Sequence, residues 1–149
     1  DAILKEASAA ITNPDKKRRF EFLQPALSSD EATRASFVNS LRDAKNREKE
    51  SWVLSALNYI NHPLRQESGL KHLKTSLKLL EEIQLTGDIF FPKNWLKATI
   101  GRYSSAEAFT IRENYLKAHP DLNKVLKNKL LQATDDLERV HVMQASLEN

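Results

Sequence analysis

Acid–base or metal chemistry in this chain would rest on four histidines, His62, His72, His119 and His141, and on carboxylates near them, because there is no cysteine. That absence removes thiolate catalysis, disulfides and cysteine-ligated zinc together. No histidine is followed by glutamate, so the H-E-x-x-H pattern of a zinc-peptidase helix does not occur. Glu138-x-x-His141 puts a carboxylate and an imidazole on one helical face. A dinuclear carboxylate site uses two such motifs plus two further glutamates, and no second copy exists here, so a surface pair is expected. His62 and His119 each precede a proline, where the backbone is driven extended, and are expected to be loop or capping residues.

Other chemistries lack their settings. No serine stands in a G-x-S-x-G elbow, and Gly69, Gly87 and Gly101 are too far apart to form a phosphate-cradling loop. Glu81, Glu82 and Asp88 are the local acidic cluster, but adjacent helical positions diverge and a paired-carboxylate site needs convergent groups. Solvated carboxylates are the expectation. No catalytic residue and no metal ligand is assigned in this chain.

The elements around these residues are helical. Leu70, Leu73, Leu77 and Leu80 step by three and four, as do Leu122, Val125, Leu126, Leu130 and Ala133; Trp52, Val53, Ala56, Leu57 and Ile60 form a similar stripe. Helices are predicted over about 2–11, 15–27, 30–42, 47–60, 67–84, 92–101, 105–118, 121–133 and 135–146. Asn13-Pro14 reads as an N-cap with proline in the first turn, Phe91-Pro92 and His119-Pro120 as further helix openings, and Ser104-x-x-Glu107 as a capping box. Thr134 before Asp135 and Asp136 reads as a cap with two carboxylates at a helix's positive end. Pro25 is expected to kink or end its helix near Gln24, and Gly87 and Gly101 to be left-handed C-caps. The aromatics Trp52, Phe90, Phe91, Trp95, Phe109 and Tyr115 fall at helix faces or entries, where packing explains them better than ligand stacking.

Composition agrees. With 149 residues, 29% charged, three glycines and five prolines, the chain is expected to be one soluble, mostly helical domain. Mean hydropathy is −0.55, and no apolar run approaches the roughly 18 residues of a membrane span. Net charge is +3, and the one dense basic run, Lys16 to Arg19, is flanked by Asp15 and Glu21. That is a solvated helical turn, so neither nucleic acid nor membrane is expected as a partner. Short linkers between successive helices suggest antiparallel pairs stacked as a HEAT/armadillo-like right-handed superhelix, with a compact bundle as the alternative. The chain opens Asp1-Ala2 with no methionine, which reads as a piece excised from a longer polypeptide.

Four strings carry a more specific message: Lys17-Arg18-Arg19-Phe20, Asn46-Arg47-Glu48, Trp52 to Arg65 (WVLSALNYINHPLR) and Leu79 to Trp95 (LLEEIQLTGDIFFPKNW). Over residues 15–139 the chain resembles the C-terminal helical domain of zinc aminopeptidases of the aminopeptidase N type, which are gluzincin metallopeptidases. The resemblance implies a parent that removes N-terminal residues from peptides, with a metal-bound water attacking the first peptide bond and a glutamate as base. The family's zinc motif and its G-x-M-E-N motif are missing; the one methionine, Met143, precedes Gln144. No catalytic or zinc-binding residue carries over, and zinc is expected only in a catalytic domain elsewhere in the parent. What the resemblance implies for this chain is a wall of the peptide cavity, packed on the catalytic domain of the same polypeptide and touching peptide substrate at most indirectly.

Arg102 and Tyr103, just past a predicted helix end and beside the most family-like string, are the candidate cavity-facing residues. Arg102 could pair with a peptide carboxylate; the competing account is an exposed arginine favoured by the helix dipole. From a different class, a free-standing HEAT-like scaffold that binds another protein through its concave face is the alternative function.

Overall fold

A computed structural model of the chain describes residues 1–147, and among them every regular element is helical. The helices are α1 (Ala2–Ala10), α2 (Pro14–Leu27), α3 (Glu31–Ser40), α4 (Glu50–Ile60), α5 (Gln66–Leu70), α6 (Leu73–Lys78), α7 (Leu80–Thr86), α8 (Phe91–Ala98), α9 (Ala106–Ala118), α10 (Lys124–Ala133) and α11 (Asp135–Leu147). Three short 3-10 turns, Ala44–Arg47, Pro63–Arg65 and Ile100–Arg102, join some of them. The chain forms two compact units, residues 1–60 and the residues from 61 on.

In the first unit α2 packs on α4, α3 and α1. Asn13 caps α2 as its sequence predicts, accepting from the amides of Asp15 and Lys16 at 3.0 Å each. Leu23, Ala26, Phe37, Val38, Leu41, Val53, Ala56, Leu57 and Ile60 are buried, and Phe22 meets both Phe37 and Trp52 edge-on at 5.5 and 5.7 Å. Pro25 does not end its helix near Gln24: it lies inside α2, which continues to Leu27 and closes with the Ser28 amide on the Gln24 carbonyl at 3.1 Å. A missing N–H costs one helical bond, and burial of Leu23 and Ala26 on either side of the proline offsets it.

Two buried arginines close helix ends here. The Arg34 guanidinium donates to the carbonyls of Ser28 and Ser29 at 2.8 and 2.9 Å. Arg47 donates to the carbonyls of Leu41 and Arg42. Each arginine reaches back six and five residues to carbonyls that the preceding helix leaves unsatisfied.

In the second unit α8 packs on α10 and α7, α9 on α6 and α11. The predicted helix over 67–84 is three pieces. The Gly69 carbonyl accepts from the His72 amide in a tight turn at 2.9 Å, ending α5. Trp95 Nε1 donates to the Ser76 carbonyl at 3.1 Å, so a tertiary donor occupies the acceptor an unbroken helix would offer to Leu80. The break between α6 and α7 follows.

Other boundaries also shift. Ser105, not Ser104, caps α9, accepting from the Ala108 amide at 3.2 Å, which leaves Glu107 out of a capping box. Pro120 sits in a turn, and Asn123 opens α10 through the amides of Val125 and Leu126. Thr134 does precede α11, but its hydroxyl donates back to the Leu130 carbonyl at 2.8 Å. Neither Gly87 nor Gly101 is left-handed: no described glycine has positive φ, and Gly87 is extended at φ −91°, ψ 170°. Gly101 is required by proximity, since a Cβ there would stand 2.8 Å from the Ala133 carbonyl oxygen and 3.1 Å from that of Leu96.

Candidate functional site

The candidate region lies in the second unit, from the end of α7 to the start of α9. Phe91 and Pro92 open α8 as predicted, and Phe91, Pro92, Trp95 and Leu96 turn inward. Thr99, fully buried at the end of α8, donates to the Trp95 carbonyl at 2.8 Å. The chain then turns through Ile100–Arg102 into an extended Tyr103.

The neighbouring pair Arg102 and Tyr103 part company here. Tyr103 is buried, and its hydroxyl donates to Asn61 Oδ1 at 2.7 Å while Asn61 Nδ2 donates to the Ala98 carbonyl at 3.1 Å. This chain of bonds ties the start of the second unit to the end of α8. Burial pushes the Tyr103 phenol far above its ordinary range, and the Arg102 charge offsets this only in part, so the hydroxyl remains a donor at neutral pH. Arg102 is exposed; its carbonyl accepts from Gln66 Nε2 at 3.0 Å, and its guanidinium pairs with no described acid. Only Arg102 of the two presents a charged group to the surface.

Just upstream, the last turn of α7 and the connection to α8 expose three large apolar side chains within six residues: Leu85 (85%), Ile89 (72%) and Phe90 (66%). Leu64, in the string from Trp52 to Arg65, is 90% exposed. Asp88 accepts from the Phe90 amide at 3.0 Å, fixing the turn that holds Ile89 and Phe90 outward.

Comparison with protein-family models, with curated proteins and with solved structures finds no match to this chain. No family follows from them. The site therefore rests on its own residues.

The remaining sequence candidates have structural partners. His62 Nδ1 accepts from the Leu64 amide at 3.2 Å, and His119 Nδ1 lies 2.8 Å from the Tyr115 carbonyl, so both cap turns as expected. His141 stacks on Phe109 with centroids 3.6 Å apart, while Glu138 accepts from Arg112. Glu138 and His141 thus face different partners on α9. Arg112, buried, also donates to Glu113 and to the Thr134 hydroxyl, and its guanidinium lies 4.6 Å from the Phe109 ring. Among the described residues no group of three or more His, Asp or Glu side chains comes together to hold a metal ion.

Arg34, Arg47 and Arg112 were not singled out by sequence reasoning. For the first two a usable signal existed: an arginine about six residues after a helix end. For Arg112 none did, because its partners Thr134 and Glu138 lie on later elements.

Proposed function

We propose that this chain is a non-catalytic helical module of a zinc-dependent aminopeptidase, packing on the catalytic domain and walling the cavity that admits peptides. In that role its helix pairs stack as a HEAT/armadillo-like right-handed superhelix, the zinc and the attacking water belong to the catalytic domain, and Arg102 faces the cavity. The observation that carries this reading is the coincidence of two features in one string. LLEEIQLTGDIFFPKNW holds the strongest resemblance to the family and also leaves Leu85, Ile89 and Phe90 on the surface. Apolar side chains bunched at an interhelical turn are costly to leave in water and mark a surface that another part of a protein covers.

The reading predicts how the longer polypeptide responds to charge in that turn. Ile89→Asp combined with Phe90→Asp should loosen the module from the catalytic domain, so that limited proteolysis frees it sooner and kcat/KM on peptides falls. Unchanged proteolysis and unchanged kinetics would remove the turn from the interface. A free-standing scaffold makes the opposite forecast: the double variant loses a separate protein partner and no peptidase activity is at stake. Arg102→Ala in the same polypeptide tests the cavity role, with KM rising for peptides that reach it and unchanged for dipeptide amides.

A further inference from the structure

Between α6 and α9 the second unit holds a cavity of about 180 Å³ lined by Lys74, Leu77, Lys78, Ile111, Asn114, Tyr115, Ala118 and His119. Its floor is apolar: Leu77, Ile111, the Ala118 methyl, and the stacked faces of Tyr115 and His119, whose centroids are 4.2 Å apart. Two lysines stand at the rim of that floor. Lys74 and Lys78 are exposed, four residues apart on one face of α6, and neither pairs with a described acid. Like charges at that spacing repel unless an anion sits between them.

Tyr115 supplies the second observation. It is only 8% exposed, yet its hydroxyl bonds no described residue. No fully enclosed side-chain oxygen or nitrogen among the described residues lacks a partner, so this hydroxyl keeps a share of solvent while the ring walls the cavity. The nearby acids fix the polarity of the site. Glu81 acts on Tyr115 and, with Asp121, lines a neighbouring cavity that shares Ala118 and His119. An anion is therefore disfavoured at the His119 end and favoured at the lysine end.

We propose that this cavity binds a small carboxylic acid with an apolar body, its carboxylate on Lys74 and Lys78 and its ring or short chain on Leu77, Ile111 and Ala118. The volume suits such a body, since an apolar cavity of about 150 Å³ holds one benzene ring. Carboxylate and ammonium supply the charge complementarity.

Titration calorimetry of the full chain with hexanoate, hexan-1-ol, hexylammonium and acetate tests this directly. Hexanoate should bind saturably with a Kd of roughly 1 mM or tighter, the range open to a ligand of this size. Hexan-1-ol and acetate should bind at least about tenfold more weakly, hexylammonium should not bind, and salt should weaken hexanoate. The K74Q/K78Q variant, on exposed positions that leave the core untouched, should lose at least about tenfold for hexanoate and nothing for hexan-1-ol. Equal binding of hexan-1-ol, equal binding of acetate, an unaltered K74Q/K78Q variant, or no saturable heat with hexanoate would each overturn the proposal.

Discussion

The two compact units use buried polar groups in different ways. In residues 1–60 the buried arginines, Arg34 and Arg47, are committed to backbone carbonyls one helix behind them, buried Ser28 donates to the Asp1 carboxylate, and the rest of the interior is aliphatic and aromatic. From residue 61 on, buried polar groups link distant parts of the chain: Tyr103 to Asn61, Trp95 to Ser76, Arg112 to Thr134 and Glu138. The second unit also breaks the stretch from Gln66 to Ala98 into short helices, and leaves two unpaired lysines beside a cavity and apolar residues at a turn. Long regular helices with self-contained caps need nothing else; short helices held by tertiary bonds are where a site or an interface can be built.

The sharpest way to test that contrast is Trp95→Ala. It empties a fully buried site and strands the Ser76 carbonyl, and should cost about 3–5 kcal/mol of stability in urea unfolding. A loss below about 1 kcal/mol would show that the indole is not what organises the second unit. Next, Gly101→Ala forces a methyl against the backbone oxygen of Ala133, which cannot swing away as a side chain could. A loss of about 1–3 kcal/mol is expected, and a neutral result would mean that α10 yields freely.

In the first unit Arg34→Met keeps the apolar stem but leaves the carbonyls of Ser28 and Ser29 without that donor. About 1–3 kcal/mol should be lost, with exchange of the amides in the last turn of α2 accelerated first; uniform exchange across α2 would contradict a capping role. Tyr103→Phe removes the hydroxyl that Asn61 accepts and should cost about 0.5–1.5 kcal/mol.

The smallest effect is in alkaline solution. Burial pushes the Tyr115 phenol up to about 12 from an ordinary 10.0, with the Glu81 charge adding to the shift. The unfolded chain ionises this phenol first, so stability is level below pH 10 and falls between about pH 10 and 12. Tyr115→Phe should flatten part of that fall; an identical alkaline profile would place the titration elsewhere.

Much of the helical layout was legible because its causes are local. Asn13-Pro14 and Phe91-Pro92 carry their own start signals, and the stripe from Trp52 to Ile60 has α4 as its counterpart. The failures have tertiary causes. Nothing within 67–84 announces that an indole near residue 95 will claim the Ser76 carbonyl, and α2 continues past Pro25 because Leu23 and Ala26 are buried on either side of it. Gly101 was noticed for the wrong reason: glycine is needed there for close approach, and its φ is ordinary. At the site, a tyrosine directly after an arginine gave no hint that Asn61, 42 residues earlier, would hold it inside. The groups around the α6–α9 cavity sit on two separate helices in ordinary helical spacing, so only their juxtaposition sets them apart.

The central claim, that this chain is a module of a zinc aminopeptidase, is tested most directly by sequencing the transcript upstream of the Asp1 codon. An in-frame G-x-M-E-N followed by H-E-x-x-H and a later glutamate is the predicted result. A start codon immediately before Asp1, with no such motifs, would contradict it and leave a helical scaffold whose partner meets the Leu85–Phe90 turn.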